Sequence, residues 1–220
     1  MSTTPEEWAA NLTQIRERVS FVCERSGRDP DSVSILPITK SLSRESMKQI
    51  RNLDISEVGE NRVLEGLSRR LESDLSLRWH MVGHVQTNKI KKLLDWVDVL
   101  HSLDRISLVE ALEKELGRRG IHLSCYLQIN VSGESSKGGF VPEETGEILS
   151  RIQEEAPHIN IMGLMTMAPM GVDPRPCFRT LRELAEKFHL PSLSMGMSGD
   201  FKPAIEEGST CVRIGGAIFR

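Results

Sequence analysis

The chain has 220 residues, 39% of them hydrophobic and 27% charged, which suits one domain (1–220) able to bury its own core and leaves little room for a second. A formal net charge of -3 gives no global attraction to phosphate backbones and argues against nucleic acid as the main ligand. No apolar run approaches the about 20 residues that span a bilayer, so no membrane segment is expected.

Cys23, Cys125, Cys177 and Cys211 are widely spaced, contain no Cys-x-x-Cys pair and follow no apolar leader. They read as reduced thiols, which points to a cytoplasmic protein.

In chain order, Thr4-Pro5-Glu6-Glu7 opens a helix: Thr4 caps, Pro5 suits the first helical position and Glu7 completes a capping box. Trp8, Leu12, Ile15, Val19 and Val22 keep three- and four-residue spacing, so the helix buries one face to about Ser26 and ends at Gly27. Eight strand candidates follow, at 33–40, 55–59, 78–83, 97–102, 123–131, 159–167, 192–197 and 211–218. Helical patterns alternate with them at Arg44–Leu53, Asn61–Leu71, Asn88–Trp96, Ile106–Arg119, Glu143–Ala156, Cys177–Phe188 and Phe201–Glu206.

Strict β/α alternation with short loops requires a parallel sheet, and eight such strands predict a single closed (β/α)8 TIM barrel with an extra N-terminal helix. The rival, an open doubly wound sheet, lacks a Gly-x-Gly-x-x-Gly after the first strand. The chain stops at Arg220, so no normal eighth outer helix is expected and the N-terminal helix is available to cover the gap.

The working groups of such a barrel sit at the carboxyl ends of its strands. Lys40 closes the run Val33–Thr39, and an amine leaving an apolar strand for the rim of a cleft is partly desolvated and able to attack an aldehyde. A solvated lysine that merely ends a strand is the plain alternative. Strand seven runs into Met197-Ser198-Gly199-Asp200 and strand eight into Ile214-Gly215-Gly216; both are turns whose backbone N–H groups can receive an anion, though glycines after a strand are often only a turn. Arg213, between Val212 and Ile214, needs an acceptor if it points inward: either a carboxylate of the protein or a ring nitrogen of a cofactor.

His80 and His84 are about 13 Å apart along a strand, too far to share one ion, so no metal site is expected there. Met162-Gly163-Leu164-Met165-Thr166-Met167 reads first as core packing, as does the only tyrosine, Tyr126. Lys89-Ile90-Lys91-Lys92 and Arg118-Arg119 read as solvated helix faces.

The assembled segments are Ile38-Thr39-Lys40, Gly59-Glu60-Asn61, His80-Met81-Val82-Gly83 with Gln86, Asn88 and Lys89, Gln128–Ser132, Glu134 with Lys137 and Gly139, Gly163-Leu164-Met165, Leu193–Ser198 and Val212–Gly215. In this order the chain resembles the pyridoxal phosphate homeostasis proteins, a family related to the N-terminal barrel of alanine racemase. The resemblance implies a Schiff base between Lys40 and pyridoxal 5′-phosphate (PLP). It also implies Ser198, Gly199, Gly215 and Gly216 around the phosphate, Arg213 at the pyridine nitrogen, Asn61 on the ring side, and Met165 within the cofactor-binding set. Two departures from the family pattern stand out: Gly216 replaces a usual threonine, and Ser41-Leu42-Ser43 follows Lys40, so Lys40 is the lone amine at that point.

A protonated pyridine ring drives PLP catalysis, and an arginine opposite the nitrogen weakens that sink. The implied function is therefore a PLP carrier with little or no turnover in vitamin B6 homeostasis, a monomer that passes PLP to apoenzymes. A PLP-dependent racemase or lyase, and a Schiff-base aldolase acting on sugar phosphates, are the rival readings. Lys137, in Ser135-Ser136-Lys137-Gly138-Gly139, is expected at the same rim as a flexible second amine during PLP transfer, with a solvated loop lysine as the alternative.

Overall fold

A computed structural model of the chain describes residues 4–73, 75–134 and 137–220. Helix α1 (Pro5–Arg25) starts as its sequence predicts: Thr4 Oγ1 accepts from Glu7 N, and the Glu7 carboxylate accepts from Thr4 N at 2.7 Å. Trp8, Leu12, Ile15, Val19 and Val22 are all buried, and Gly27 takes a φ of 65° just past the helix end.

The strands and helices then alternate as β1 (Ser34–Pro37), α2 (Arg44–Gln49), β2 (Glu57–Glu60), α3 (Val63–Glu72), β3 (Arg78–Met81), α4 (Ile90–Leu93), β4 (Val99–Leu103) and α5 (Ile106–Arg119). They continue as β5 (Leu123–Gln128), α6 (Thr145–Glu155), β6 (Ile159–Met165), α7 (Arg175–Lys187), β7 (Ser192–Met197), α8 (Phe201–Glu206), β8 (Cys211–Ile214) and α9 (Gly216–Phe219).

The eight strands pair in parallel in the order β1-β8-β7-β6-β5-β4-β3-β2. The last seam, between β1 and β2, is drawn together past the ends of the regular ladder. Ile38 bridges Gly59, and Thr39 N donates to Gly59 O at 3.0 Å. The result is a (β/α)8 TIM barrel, and because every strand runs the same way, all eight carboxyl ends meet at one rim.

Several predicted limits move. The strand predicted over 33–40 ends at Pro37, so Lys40 stands beyond the ladder, and the helix predicted from Asn61 starts only at Val63 because Arg62 is extended. That leaves Asn61 in the loop above β2. The stretch Asn88–Trp96 forms a 3-10 turn (Thr87–Lys89) and one α-helical turn instead of a full helix.

The largest correction concerns residues 211–218. The strand stops at Ile214, and Gly216–Phe219 coils into a short helix. A run of four apolar residues carries no period by which strand and helix can be told apart; packing against α1 decides it. Trp8 meets Phe219 edge to face at 5.5 Å, and Asn11 Nδ2 donates to Ile218 O at 3.0 Å. The N-terminal helix thus packs on this terminal turn and on α8.

Candidate functional site

A cavity of about 630 Å³ opens at the carboxyl rim of the barrel. Strand one contributes Lys40, whose side chain is exposed at its edge. The partial desolvation expected of this amine is therefore corrected: three residues of loop carry it past the buried end of β1 into solvent. Its backbone, in contrast, is held. Thr39 Oγ1 donates to Glu60 Oε1, Glu60 Oε2 accepts from Arg69 at 2.6 Å, and Arg69 also donates to the carbonyls of Lys40 (3.3 Å) and Leu42 (2.9 Å). Burial pushes the Glu60 carboxyl up, while Thr39 and Arg69 pull it back.

Asn61 lines the cavity from the loop after β2. Its position depends on Gly83, because a Cβ at residue 83 would lie 2.1 Å from the Asn61 carbonyl oxygen. Only glycine lets the loop above β3 cross the Asn61 backbone so closely.

Strands seven and eight supply the other wall. Ser198 and Gly199 form the turn between β7 and α8, closed by Asp200 Oδ1 accepting from Met197 N at 2.6 Å, and both line the cavity. A Cβ on Gly199 would have no heavy atom within 4 Å, so this turn leaves room for a ligand against its backbone. Gly215 and Gly216 line the cavity where α9 begins. The first N–H groups of that turn have no intrahelical acceptor.

Arg213 is 5% exposed and reaches the cavity floor from β8. It donates to Ser194 O and Ser194 Oγ, both at 2.7 Å, and to Thr166 O at 2.9 Å. The protein's own acceptors are thus two carbonyls and a hydroxyl, not the carboxylate considered from sequence. Burial lowers the guanidinium from its ordinary value, with Cys211, Asp200 and Tyr126 opposing.

Lys137 lines the same cavity, so the structure joins two amines that are 97 positions apart in the chain at one opening. Its expected flexibility is corrected: Nζ lies 3.1 Å from Glu134 Oε1 and donates to Ala168 O at 3.0 Å. Ser135 and Ser136 of its loop lie outside the described residues. Met165 is the residue the site does not gather. It is buried with Val99 and Tyr126 inside the barrel, and Met167, two positions on, reaches the cavity in its place. Tyr126 packs in this core as expected, its ring 4.4 Å from that of His101, with burial raising its phenol.

Sequence reasoning missed His84 and Asp104, which also line the cavity and meet at 2.9 Å through His84 Nδ1 and Asp104 Oδ2. The available signal was position: both follow the carboxyl ends of adjacent strands. His80 and His84 go separate ways, the first into the barrel interior and the second to this rim.

The alanine racemase N-terminal domain family matches residues 10–220. A protein of Aquifex aeolicus named pyridoxal phosphate homeostasis protein is 40% identical over 218 residues, covering 94% of this chain and 95% of that one. The chain belongs to the pyridoxal phosphate homeostasis protein family. Among solved structures, PipY of Synechococcus elongatus PCC7942 without PLP is similar to this chain, with 28% identity, a TM-score of 0.86 and coverage of 96% of this chain and 99% of that one. Its structure with PLP bound gives a TM-score of 0.81, with 97% of this chain and 100% of that one covered. The barrel described above is thus the fold of the pyridoxal phosphate homeostasis family.

Proposed function

We propose that this chain binds PLP in the rim cavity, carries it as a Schiff base on Lys40, and serves intracellular vitamin B6 homeostasis in the cytoplasm with little or no turnover. The observation that carries the reading is the meeting of Lys40, Arg213 and the two glycine turns around one cavity. These groups fit the cofactor: an amine for its aldehyde, a buried cation for its ring nitrogen, and for its phosphate the open backbone at Gly199 with Ser198, Gly215 and Gly216 lining the same cavity. A relative solved with PLP bound supports PLP as the ligand. Gly216 offers an N–H where the family pattern has a hydroxyl, and Asn61 lines the ring side.

When bound, PLP supplies an electron sink whose strength depends on protonation of its pyridine nitrogen. Arg213 works against that protonation, since a guanidinium donates hydrogen bonds and accepts none. Tyr126 is buried among Val99 and Met165, which withdraws the only phenol of the chain from the role of an opposing base. Lys137, tethered at the same rim, serves as the second amine through which PLP leaves for apoenzymes. Reduction with borohydride followed by mass spectrometry of the purified chain tests the reading. The expected product is one PLP mass fixed on Lys40, with negligible turnover of a D- and L-amino-acid panel. Racemisation at roughly 1 s⁻¹ or more, an ordinary enzymic rate, would replace the carrier with an enzyme.

A further inference from the structure

Beneath the cavity a line of polar side chains crosses the barrel interior. Arg213 on β8 donates to Ser194 Oγ on β7 at 2.7 Å, and Ser194 Oγ lies 2.7 Å from His101 Nδ1 on β4. His101 Nε2 is 2.8 Å from His80 Nδ1 on β3, and His80 Nε2 is 3.3 Å from Glu57 Oε2 on β2, off the ideal hydrogen-bond axis. Ser194 and His101 have no exposed surface, and His80 is 5% exposed.

The two ends of this line set the direction of every proton between them. Arg213 only donates, and an ionised Glu57 only accepts. Glu57 sits below the ordinary carboxylate range chiefly because of His80, with burial opposing, so the carboxylate form faces His80 Nε2. A lone pair on that nitrogen would oppose the carboxylate; the His80 proton therefore sits on Nε2.

A neutral His80 then accepts at Nδ1, which makes His101 the donor from its own Nε2. His101 Nδ1 is left as an acceptor, and it takes the Ser194 hydroxyl proton. Ser194 Oγ in turn is free to accept from Arg213, so a single arrangement satisfies each link. A cationic His80 would add a second buried positive charge to a layer that already holds Arg213. Burial already drives His101 well below its ordinary range, with the charge of Arg213 acting in the same direction.

We infer that Ser194, His101, His80 and Glu57 are positioning residues: a one-way hydrogen-bonded column from Arg213 to His80, oriented at its far end by the charge of Glu57, that holds Arg213 in a single orientation at the cavity floor. The column stands on the geometry of the protein alone; its bearing on ligand binding rests on the proposed PLP site. Ser194 is the critical link, because its hydroxyl both accepts a hydrogen bond from Arg213 and orients His101. Loss of that hydroxyl leaves Arg213 on the carbonyls of Ser194 and Thr166, free to turn about them.

Long-range 1H–15N spectra of the cofactor-free full chain at neutral pH test the column directly. Both His80 and His101 should be neutral and protonated at Nε2; a cation or an Nδ1–H tautomer at either would overturn the inference. Ser194→Ala supplies a second arm. Arg213 faces the ring and not the phosphate, so PLP and pyridoxal should lose affinity by the same factor, roughly tenfold, the loss of about one neutral or charge-assisted hydrogen bond. Unchanged affinity, or a loss confined to PLP, would remove Ser194 from this role. Should Ser194→Ala not fold, the wild-type spectra still decide. Absence of a borohydride product at Lys40 in the wild type would sink the PLP reading alone and leave the tautomers standing as a separate result.

Discussion

Lys40 is an exposed side chain on a firmly held backbone, and its replacement should therefore cost the fold little. Lys40→Ala is expected to stay folded by circular dichroism and to give a colourless protein that borohydride no longer labels with PLP. Fixation of one equivalent at undiminished affinity would place the principal amine elsewhere, with Lys137 the first candidate. Ser198 is exposed in the turn after β7 and should act on the phosphate alone. A charge-assisted hydrogen bond is worth roughly 1.5 to 3 kcal/mol, about tenfold or more in affinity. Ser198→Ala should thus weaken PLP far more than pyridoxal, the reverse of the equal losses expected for Ser194→Ala; equal losses here would move Ser198 away from the phosphate.

At the scale of elements, the loops above the strands decide what reaches the cavity. The loop after β5 is fastened by Gln128 Nε2 donating to Gly138 O at 2.6 Å, and its Lys137 amine is held by Glu134 and the Ala168 carbonyl. An amine already positioned at the exit suits a transfer step more than resting binding. Lys137→Ala should leave PLP affinity nearly unchanged and slow delivery to an apoenzyme in a stopped-flow assay; identical transfer kinetics would return this lysine to a purely local role. The loops after β2 and β3 touch through Gly83. Gly83→Ala would press a methyl group to 2.1 Å from the Asn61 carbonyl, so the two backbones must part. Overpacking of this kind costs about 1 to 3 kcal/mol, which urea denaturation should register as a lower midpoint at constant slope.

The whole barrel closes through contacts far apart in the chain. In the outer layer α1 packs against α8 and α9, which follow β7 and β8. Trp8 is 2% exposed in this seam, against Phe219. Trp8→Ala should destabilise the chain by about 3 to 5 kcal/mol, the usual cost of removing a buried large aromatic. A loss below about 1 kcal/mol would mean that the terminal helix is an appendage and not part of the cooperative unit. The same variant should retain PLP labelling at Lys40 while folded, since the seam and the cavity share no side chain at Trp8.

Much of this molecule was legible from its chain. Short apolar or β-branched runs alternating with longer amphipathic stretches marked eight strands and the helices between them, and Ile106–Arg119, 192–197 and Phe201–Glu206 coincide with their observed limits. Arg213 announced itself as a cation between two apolar strand residues, and Lys40 as an amine after an apolar run. What the sequence could not decide was every relation set by register between strands. His80 and His101, or His84 and Asp104, are about twenty positions apart, and only the stagger of β3 against β4 makes them neighbours. The same holds for Met165 and Met167: both belong to one apolar stretch, but β6 ends at Met165, which stays buried in the barrel, while Met167 lies beyond the strand and reaches the cavity. Local periodicity is a property of adjacent residues and survives in the sequence. Which side chains share a cavity, and which remain in water as Lys40 does, is fixed only when closure of the barrel brings distant strand ends to one rim.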